Sequence, residues 1–434
     1  MNIRIAKSGQ CLSKDPVILP SLRKPSLLLH PLTIFSVVWL GVVFLYSMHL
    51  SKLLLYPTQQ VIKIVLIIWA PFAFVILAST LIRYVLVRAY PSFRKLPAVD
   101  FAELDRRLTV WFRIWIVISI IEIIVSGGIP LLWLVQHSDK TYMDFGIASV
   151  HGLVNSLLLA IGLCRFTLFL LTGKRRHLIV PLFILVWSIA VVTRNMLLVS
   201  LIEFGILFFR LKPVQPKTIL KLAIGVVCLI LAFGAIGDYR TGSSDLIRLW
   251  AQPTEEYPDW LPSGVLWAYI YISTPINNLV YTSEVVQPVN RLTFPNTAAT
   301  LFPSIIRGVI YGSQLGTAES GELVASTFNV STAYIGPFQD YGFLGIAIFS
   351  MMIAAACQVF WFRRSIGDIL IFSVLTQCLV LSLFFNHFFY LPVISQIFWI
   401  LYFFKTPRRS HLQIETHSMP LLERNREARL ASSL

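Results

Sequence analysis

The chain has 434 residues, of which 56% are hydrophobic and only 13% are charged, and its mean hydropathy is +0.74. Soluble domains carry about 25% charged residues, so this composition excludes an ordinary soluble protein and indicates a chain organised by a membrane. The net charge of +15 does not indicate nucleic-acid binding, because Lys and Arg concentrate in short segments between apolar runs, where they set membrane topology.

The predicted elements begin with a basic tail, residues 1–31, which lacks the apolar core and cleavage site of a signal peptide. About 20 apolar residues cross the hydrocarbon core of a bilayer, and such runs recur along the chain. They predict an all-α membrane protein with about ten transmembrane helices, near residues 32–50, 60–82, 108–126, 147–171, 178–193, 195–211, 218–236, 341–361, 366–385 and 388–404. A polar C-terminal tail follows, residues 405–434.

The distribution of positive charge predicts the orientation. With the N-terminus in the cytoplasm, the cytoplasmic segments hold 26 of the 36 Lys and Arg residues, and the outer segments hold seven. Cytoplasmic loops are enriched in Lys and Arg, so we expect both termini in the cytoplasm of a bacterial inner-membrane protein. Helices 1–7 then occupy residues 32–236, an outer loop occupies 237–335, and helices 8–10 occupy 336–404.

The outer loop of 99 residues contains one apolar stretch, residues 263–284, with Pro275, Asn277 and Asn278 inside it. A membrane span there would move the basic pair Arg363–Arg364 to the outer face. We therefore predict an interfacial or re-entrant element within the loop.

Arg194 is the first candidate site residue. It lies on the outer side between helices 5 and 6, flanked by Thr193 and Asn195. A basic side chain at a helix break often binds an anion or lines a cavity. The alternative is an interfacial arginine that only reaches toward solvent.

The segment Gly237–Gly242 follows helix 7, and its glycines predict a tight turn that holds Arg240 above the membrane surface. Asp238 would orient Arg240 or act as a base, and the alternative is a surface ion pair of little energetic weight.

Arg291 lies further along the loop. The outer side holds five arginines against two lysines, a bias that fits a phosphate-bearing ligand because a guanidinium binds phosphate bidentately. The alternative is that these arginines only solvate a polar loop.

Asp340 lies one residue before helix 8, where it would cap that helix or, in a functional role, pair with an outer arginine or activate a hydroxyl. Glu122 and Glu203 lie inside helices, where an unpaired carboxylate is costly, and Arg113 and Arg165 are candidate partners. No metal-binding or nucleotide-binding motif is present, so we expect no metal and no cofactor.

Five short motifs give the chain a resemblance to the bacterial oligosaccharide repeat-unit polymerases, the O-antigen polymerase or Wzy class. They are residues 127–132 (GGIPLL), 193–195 (TRN), 237–242 (GDYRTG), 269–279 (YIYISTPINNL) and 340–345 (DYGFLG). The motifs follow the order of that family, and the resemblance covers about residues 30–404. Its specificity comes from this order together with the helix count and the long loop before helix 8.

The resemblance implies a fold similar to the multi-pass lipid-sugar glycosyltransferases (GT-C-like) and an enzyme that builds O-antigen or exopolysaccharide on the periplasmic face. Such an enzyme transfers a growing glycan from undecaprenyl pyrophosphate to a new lipid-linked repeat unit. The implied partners are the two glycolipids, membrane lipid and a chain-length regulator, and nucleic acid is not among them. We assign Arg194, Arg240 and Arg291 to the pyrophosphate and Asp238 or Asp340 to the acceptor hydroxyl.

Two alternative functions stay open. An O-antigen ligase shares the fold and the donor but delivers the glycan to lipid A core. A polysaccharide flippase or another non-enzymatic membrane protein is the second alternative. A transporter predicts paired helical halves, and the sequence has no internal repeat.

Overall fold

A computed structural model of the chain describes residues 26–89, 99–148, 150–213, 215–241, 243, 245–291, 293–312, 321–363 and 365–405. Within these ranges, the side chains of residues 87–89, 229, 233, 236, 237, 239–241, 304 and 305 lie outside the description.

The described residues form α-helices and short 3-10 turns, and they contain no β-strand, only one isolated bridge between Ser51 and Pro253. Each of the ten helices predicted from the apolar runs overlaps an observed helix. In chain order the helices are α1 (Pro31–Ser47), α2 (Thr58–Ala89), α3 (Phe101–Ser126), α4 (Pro130–Val135), α5 (Val150–Thr172), α6 (Ile179–Ala190), α7 (Arg194–Leu211), α8 (Pro216–Thr241), α9 (Asp245–Ala251), α10 (Ser263–Val285), α11 (Pro295–Ala298), α12 (Ser304–Tyr311), α13 (Ile335–Phe362), α14 (Ile366–Val380), α15 (Leu391–Ile394) and α16 (Gln396–Phe403).

Several helices of the described chain have the length and the apolar composition needed to cross a membrane. The five that qualify are Thr58–Leu86, Phe101–Val135, Val150–Thr172, Ile335–Phe362 and Ile366–Leu383. Two shorter apolar helical stretches, Pro31–Ser47 and Leu391–Phe403, accompany them. The chain is therefore an all-α membrane protein, as predicted, whereas ten crossings and the likeness to GT-C enzymes stay predictions.

The connections between the helices gather at two ends of the bundle. We call the upper end the one that contains the α1–α2 connection, where the hydroxyl of Tyr269 accepts a hydrogen bond from the backbone N–H of Leu50 over 2.9 Å. The lower end contains the start of α3 and the end of α16, where Nη1 of Arg107 donates to the carbonyl oxygen of Lys405 over 3.0 Å. The assignment of the upper end to the outer face follows from the charge pattern and stays a prediction.

The end of α8 differs from the prediction. The helix continues to Thr241, so the tight turn predicted at Gly237–Gly242 is wrong over the described residues. A Cβ added at Gly234 would lie 2.3 Å from the Cα of Gly264, and one added at Gly264 would lie 2.5 Å from the carbonyl oxygen of Ile230. Small residues permit helices to approach this closely, and packing on α10 then supports α8 beyond the apolar run.

The start of α13 also differs. The helix begins at Ile335, six residues before the predicted start of helix 8, and its backbone is kinked at Tyr341 and Gly342. Pro337 is tolerated in the first turn of a helix, where its missing N–H leaves no bond unmade, so the helix starts upstream of the apolar run. Asp340 consequently lies five residues inside α13, and the prediction that it caps this helix is wrong.

α10 packs against the upper end through a buried amide. The Oδ1 atom of Asn277 accepts hydrogen bonds from the hydroxyl of Tyr46 over 2.8 Å and from the backbone N–H of Leu55 over 3.1 Å. Its Nδ2 atom donates to the carbonyl oxygen of Leu53 over 3.0 Å. The segment predicted as interfacial or re-entrant is thus one helix of 23 residues, attached to the α1–α2 connection.

Candidate functional site

The break between α6 and α7 presents a helix N-terminus at the upper end. α6 ends at Ala190, Val192 turns the chain with φ 54°, and α7 begins at Arg194, so the predicted helix break is confirmed. The first N–H groups of a helix have no partner inside the helix, and the side chain of Thr193, the N-cap residue, does not bond to them. With the exposed side chain of Arg194, they form a positively polarised site suited to a phosphate group.

His387 supports this helix end from the connection between α14 and α15. Its side chain is buried, and Nε2 lies 3.1 Å from Oδ1 of Asn195, the second residue of α7. Because an amide oxygen only accepts, Nε2 carries the proton and donates it. Burial lowers the pKa of His387 to about 4, so the ring is neutral at pH 7. Its Nδ1 meets no hydrogen-bond partner within the described residues.

Asp340 is buried and joins α13 to α11. Its Oδ1 accepts hydrogen bonds from the backbone N–H and the side-chain amide of Asn296, at 3.0 and 2.9 Å. Its Oδ2 accepts from the backbone N–H and the hydroxyl of Thr297, at 2.8 and 2.6 Å. Asp340 therefore caps the first turn of α11 instead of its own helix. A carboxylate has about four acceptor positions, so these contacts leave no position for a substrate hydroxyl.

Arg291 lies beside Asp340 at the upper end. The backbone N–H of Asn290 donates to the carbonyl oxygen of Asp340 over 2.8 Å, and Arg291 follows with an exposed side chain. α11 in turn contacts the α14–α15 connection, where the amide of Asn386 donates to the carbonyl oxygen of Thr297 over 3.4 Å. Contacting neighbours thus connect Arg194 with Arg291. We call this set the upper-end layer, and its members are Arg194, Asn195, Arg291, Asn296, Thr297, Asp340, Asn386 and His387.

Asp238 lies at the other end of α10 from this layer. Its Oδ2 accepts a hydrogen bond from the hydroxyl of Ser263, the first residue of α10, over 2.5 Å. α10 has 23 residues, and at 1.5 Å per residue it is about 35 Å long. Asp340 bonds to Asn290, beyond the last residue of α10, so the two carboxylates lie too far apart to contact one hydroxyl. The side chain of Arg240, the remaining candidate, lies outside the described residues.

The carboxylates inside the apolar helices have partners other than the predicted arginines. Glu122 lies 3.2 Å from Nδ1 of His151 near the start of α5, and Glu203 accepts a hydrogen bond from the amide of Gln396 over 2.9 Å. Arg165 forms an ion pair with the start of α3 at the lower end. The pairing of Glu122 with an arginine is wrong. Arg165 lies 14 residues along α5 from His151, a separation of about 21 Å, and Arg113 lies nine residues before Glu122 on α3, a separation of about 14 Å.

Glu284 is a candidate binding residue that no sequence motif marks. It is exposed in the last turn of α10, and it accepts hydrogen bonds from the hydroxyl of Tyr56 over 2.9 Å and from the amide of Gln60 over 2.7 Å. These partners are 228 and 224 residues away in the chain. The signal in the sequence is a single acid at the end of an apolar stretch, which by itself indicates only a helix end.

Neither a metal-binding group among the described residues nor a similar known protein indicates the function. Among the described residues, no group of three or more His, Cys, Asp or Glu side chains is placed to hold a metal ion. No family model matches the chain, and neither a curated protein nor a solved structure resembles it at a significant level. The function is therefore inferred from the residues of the chain itself.

Proposed function

We propose that the chain is a membrane glycosyltransferase that polymerises undecaprenyl-pyrophosphate-linked oligosaccharide repeat units into O-antigen or exopolysaccharide. The reaction takes place on the periplasmic face of a bacterial inner membrane, and both chain termini lie in the cytoplasm. The donor and the acceptor are lipid-linked glycans, and a chain-length regulator is a candidate partner. The proposal is supported by the upper-end layer and by the resemblance of the motifs.

The observation that carries the proposal is the N-terminus of α7. A lipid pyrophosphate places its negative charge at the end of an apolar tail, and its binding site must offer positive charge beside apolar helices. The first-turn N–H groups of α7 and the guanidinium of Arg194 meet this need together. Arg291 supplies a second guanidinium in the same layer, and Arg240 is assigned to the pyrophosphate from the resemblance alone.

The proposed reaction joins the acceptor hydroxyl oxygen to the anomeric carbon of the donor glycan and breaks the bond between that carbon and the pyrophosphate. Undecaprenyl pyrophosphate leaves with the electron pair, and Arg194 stabilises the charge that develops on it. The hydroxyl proton passes to a base on the acceptor side. Asp340 has a positioning role, because α11 occupies its acceptor positions, and Asp238 lies at the other end of α10 from the layer that contains Arg194.

Chain extension by the purified protein on its own lipid-pyrophosphate-linked repeat unit tests the proposal. Arg194→Ala should lower the extension rate about 10²–10³-fold, the usual effect of removing one group that stabilises transition-state charge. Arg248→Ala is the matched control, because Arg248 pairs with the exposed Asp259 outside the layer and surface ion pairs contribute little. No extension by the unmodified chain contradicts the function, and unchanged extension by Arg194→Ala contradicts the site.

A deletion strain separates this function from that of an O-antigen ligase. A polymerase deletion removes long glycan chains but retains a single capped repeat. A ligase deletion removes both. We expect the first pattern, and glycan electrophoresis of the strain measures it.

A further inference from the structure

The last turn of α10 and the start of α2 form a polar and aromatic cluster that the proposed transfer step does not use. The carboxylate of Glu284 accepts from the hydroxyl of Tyr56 over 2.9 Å and from the amide of Gln60 over 2.7 Å. Tyr281 lies three residues before Glu284 on α10, a spacing that places the two side chains on the same face of the helix. We call these four residues, Tyr56, Gln60, Tyr281 and Glu284, the Glu284 cluster.

The Glu284 cluster differs from the other contacts that attach α10 to the α1–α2 connection. The amide of Asn277 is buried, and it bonds to Tyr46 and to the backbone of Leu53 and Leu55. Glu284 is exposed, and its two hydrogen bonds use about half of the acceptor positions of a carboxylate. Attachment of the helix is thus provided by the buried amide, while Glu284 presents an oriented carboxylate to the surface.

The position of the cluster relates it to the upper-end layer. Five residues after Glu284, the backbone N–H of Val289 donates to the carbonyl oxygen of Gln339 over 2.9 Å, and the next residue bonds to Asp340. The chain therefore passes directly from the Glu284 cluster into the layer that contains Arg291. A glycan whose pyrophosphate binds at α7 extends outward from the apolar helices, and both groups of residues lie at that end.

We propose that the Glu284 cluster is a glycan-binding subsite that accepts hydrogen bonds from sugar hydroxyls of the lipid-linked repeat unit. The choice of ligand depends on the proposed function. The carboxylate of Glu284 accepts hydrogen bonds from sugar hydroxyl groups. The amide of Gln60 donates a hydrogen bond to a ring or hydroxyl oxygen, and the tyrosine rings cover an apolar sugar face. The negative charge of Glu284 selects neutral or amino sugars and disfavours an acidic sugar at this position.

Equilibrium binding to the full-length protein in nanodiscs, with two probes, tests the subsite. One probe is the undecaprenyl-pyrophosphate-linked repeat unit extracted from a strain that lacks this chain, and the other is undecaprenyl pyrophosphate without sugar. Glu284→Gln should weaken binding of the glycolipid about tenfold, as expected for one lost charge-assisted hydrogen bond, and leave binding of the bare lipid unchanged. Arg194→Ala should weaken binding of both probes.

Two control variants separate ligand binding from a structural contact. Glu322→Gln changes another exposed carboxylate beside α10, whose backbone bonds to Thr282, and should alter neither affinity. Tyr56→Phe removes one hydrogen bond to Glu284 but keeps the carboxylate and the ring, so it should weaken glycolipid binding much less than Glu284→Gln. Equal losses of affinity and of melting temperature in Tyr56→Phe and Glu284→Gln would reduce the cluster to a structural tether.

Other outcomes also contradict the subsite. Unchanged glycolipid affinity in Glu284→Gln overturns it, and so does an equal loss for both probes, because a glycan subsite cannot recognise a lipid without sugar. Failure of the proposed function has a different signature, since the unmodified protein would then bind the glycolipid and yield no extended chains.

Discussion

Asp340 joins α13 to α11, and its replacement measures how much this contact stabilises the upper end. Asp340→Asn removes the charge and places an amide donor against N–H or hydroxyl donors, so we expect a loss of about 1.5–3 kcal/mol in the free energy of unfolding. Thr297→Val removes one of the four hydrogen bonds and should cost about 1 kcal/mol. Thermal unfolding in detergent measures both variants.

Asp259→Asn is the control for Asp340→Asn and Thr297→Val. Asp259 is exposed and forms an ion pair with Arg248, so its replacement should change the free energy of unfolding little. If the Asp340→Asn protein keeps the melting temperature of the unmodified chain but no longer extends glycan chains, Asp340 acts directly on the acceptor hydroxyl.

His387 should make the stability of the upper end depend on pH. Burial lowers its pKa from 6.5 to about 4 in the folded chain, so between these values the unfolded state binds a proton that the folded state does not. The stabilisation is complete above pH 6.5 and is lost as the pH falls toward 4. His387→Gln should flatten this part of the profile of melting temperature against pH. An identical profile in the two proteins contradicts the burial of a neutral ring.

At the residue scale, local patterns identified some positions and missed their partners. The position of Arg194 at a helix break follows from two apolar runs that meet there, and the structure has the break at that point. Asp340 does cap a helix, but its partners in α11 lie 43 and 44 residues upstream. The partners of Glu284 lie more than 220 residues away. No pattern within a short window contains such tertiary contacts.

Among the helices, the crossing of α8 and α10 depends on paired glycines. An alanine at position 264 would bring its Cβ within 2.5 Å of a carbonyl oxygen of α8, so Gly264→Ala should cost about 1–3 kcal/mol through overpacking. Gly225→Ala is the matched control on α8, because nothing lies within 4 Å of its added Cβ. That change should be neutral or stabilise by about 0.5–1 kcal/mol, since glycine weakens a helix interior. Thermal unfolding compares them, and equal effects contradict the close crossing.

The existence of the helices was more predictable than their ends. A long apolar run fixes the position of a helix, since its backbone groups must be satisfied within the bilayer. The ends of α8 and α13 extend past those runs into Gly237–Thr241 and Ile335–Asp340. There, contacts with α10 stabilise the end of α8, and contacts with α11 stabilise the start of α13. The apolar composition of the sequence does not predict these contacts.

For the whole molecule, the predicted orientation places the upper end in the periplasm. In a Cys11→Ser, Cys228→Ser background, we expect Gln287→Cys to react with a membrane-impermeant maleimide in intact spheroplasts. Lys174→Cys should react only after lysis, because the basic segment around it is predicted to be cytoplasmic. Both positions are exposed in the structure, so accessibility depends on the side of the membrane. Labelling of Lys174→Cys in intact cells would reverse the topology.

Composition alone was sufficient to predict the class of the whole molecule. An apolar chain with few charges requires a membrane, and the five helices that qualify as spans agree with this. The assembly of distant segments into the upper-end layer was not predictable, because it depends on side-chain contacts between helices far apart in sequence. The proposed function depends on that layer, and chain extension tests it.

The hydrogen bond between Asn277 and Tyr46 also sets a time order on synthesis. These residues are 231 positions apart, and a ribosome that adds about 5–20 residues per second needs roughly 12–46 s between them. During that interval the backbone groups at Leu53 and Leu55 await their amide partner, although three of the five candidate spans are already complete. A nascent chain arrested before Ser263 lacks α10 and therefore leaves these groups without their amide partner. We expect membrane quality control to recognise such a chain even though its apolar spans have been made.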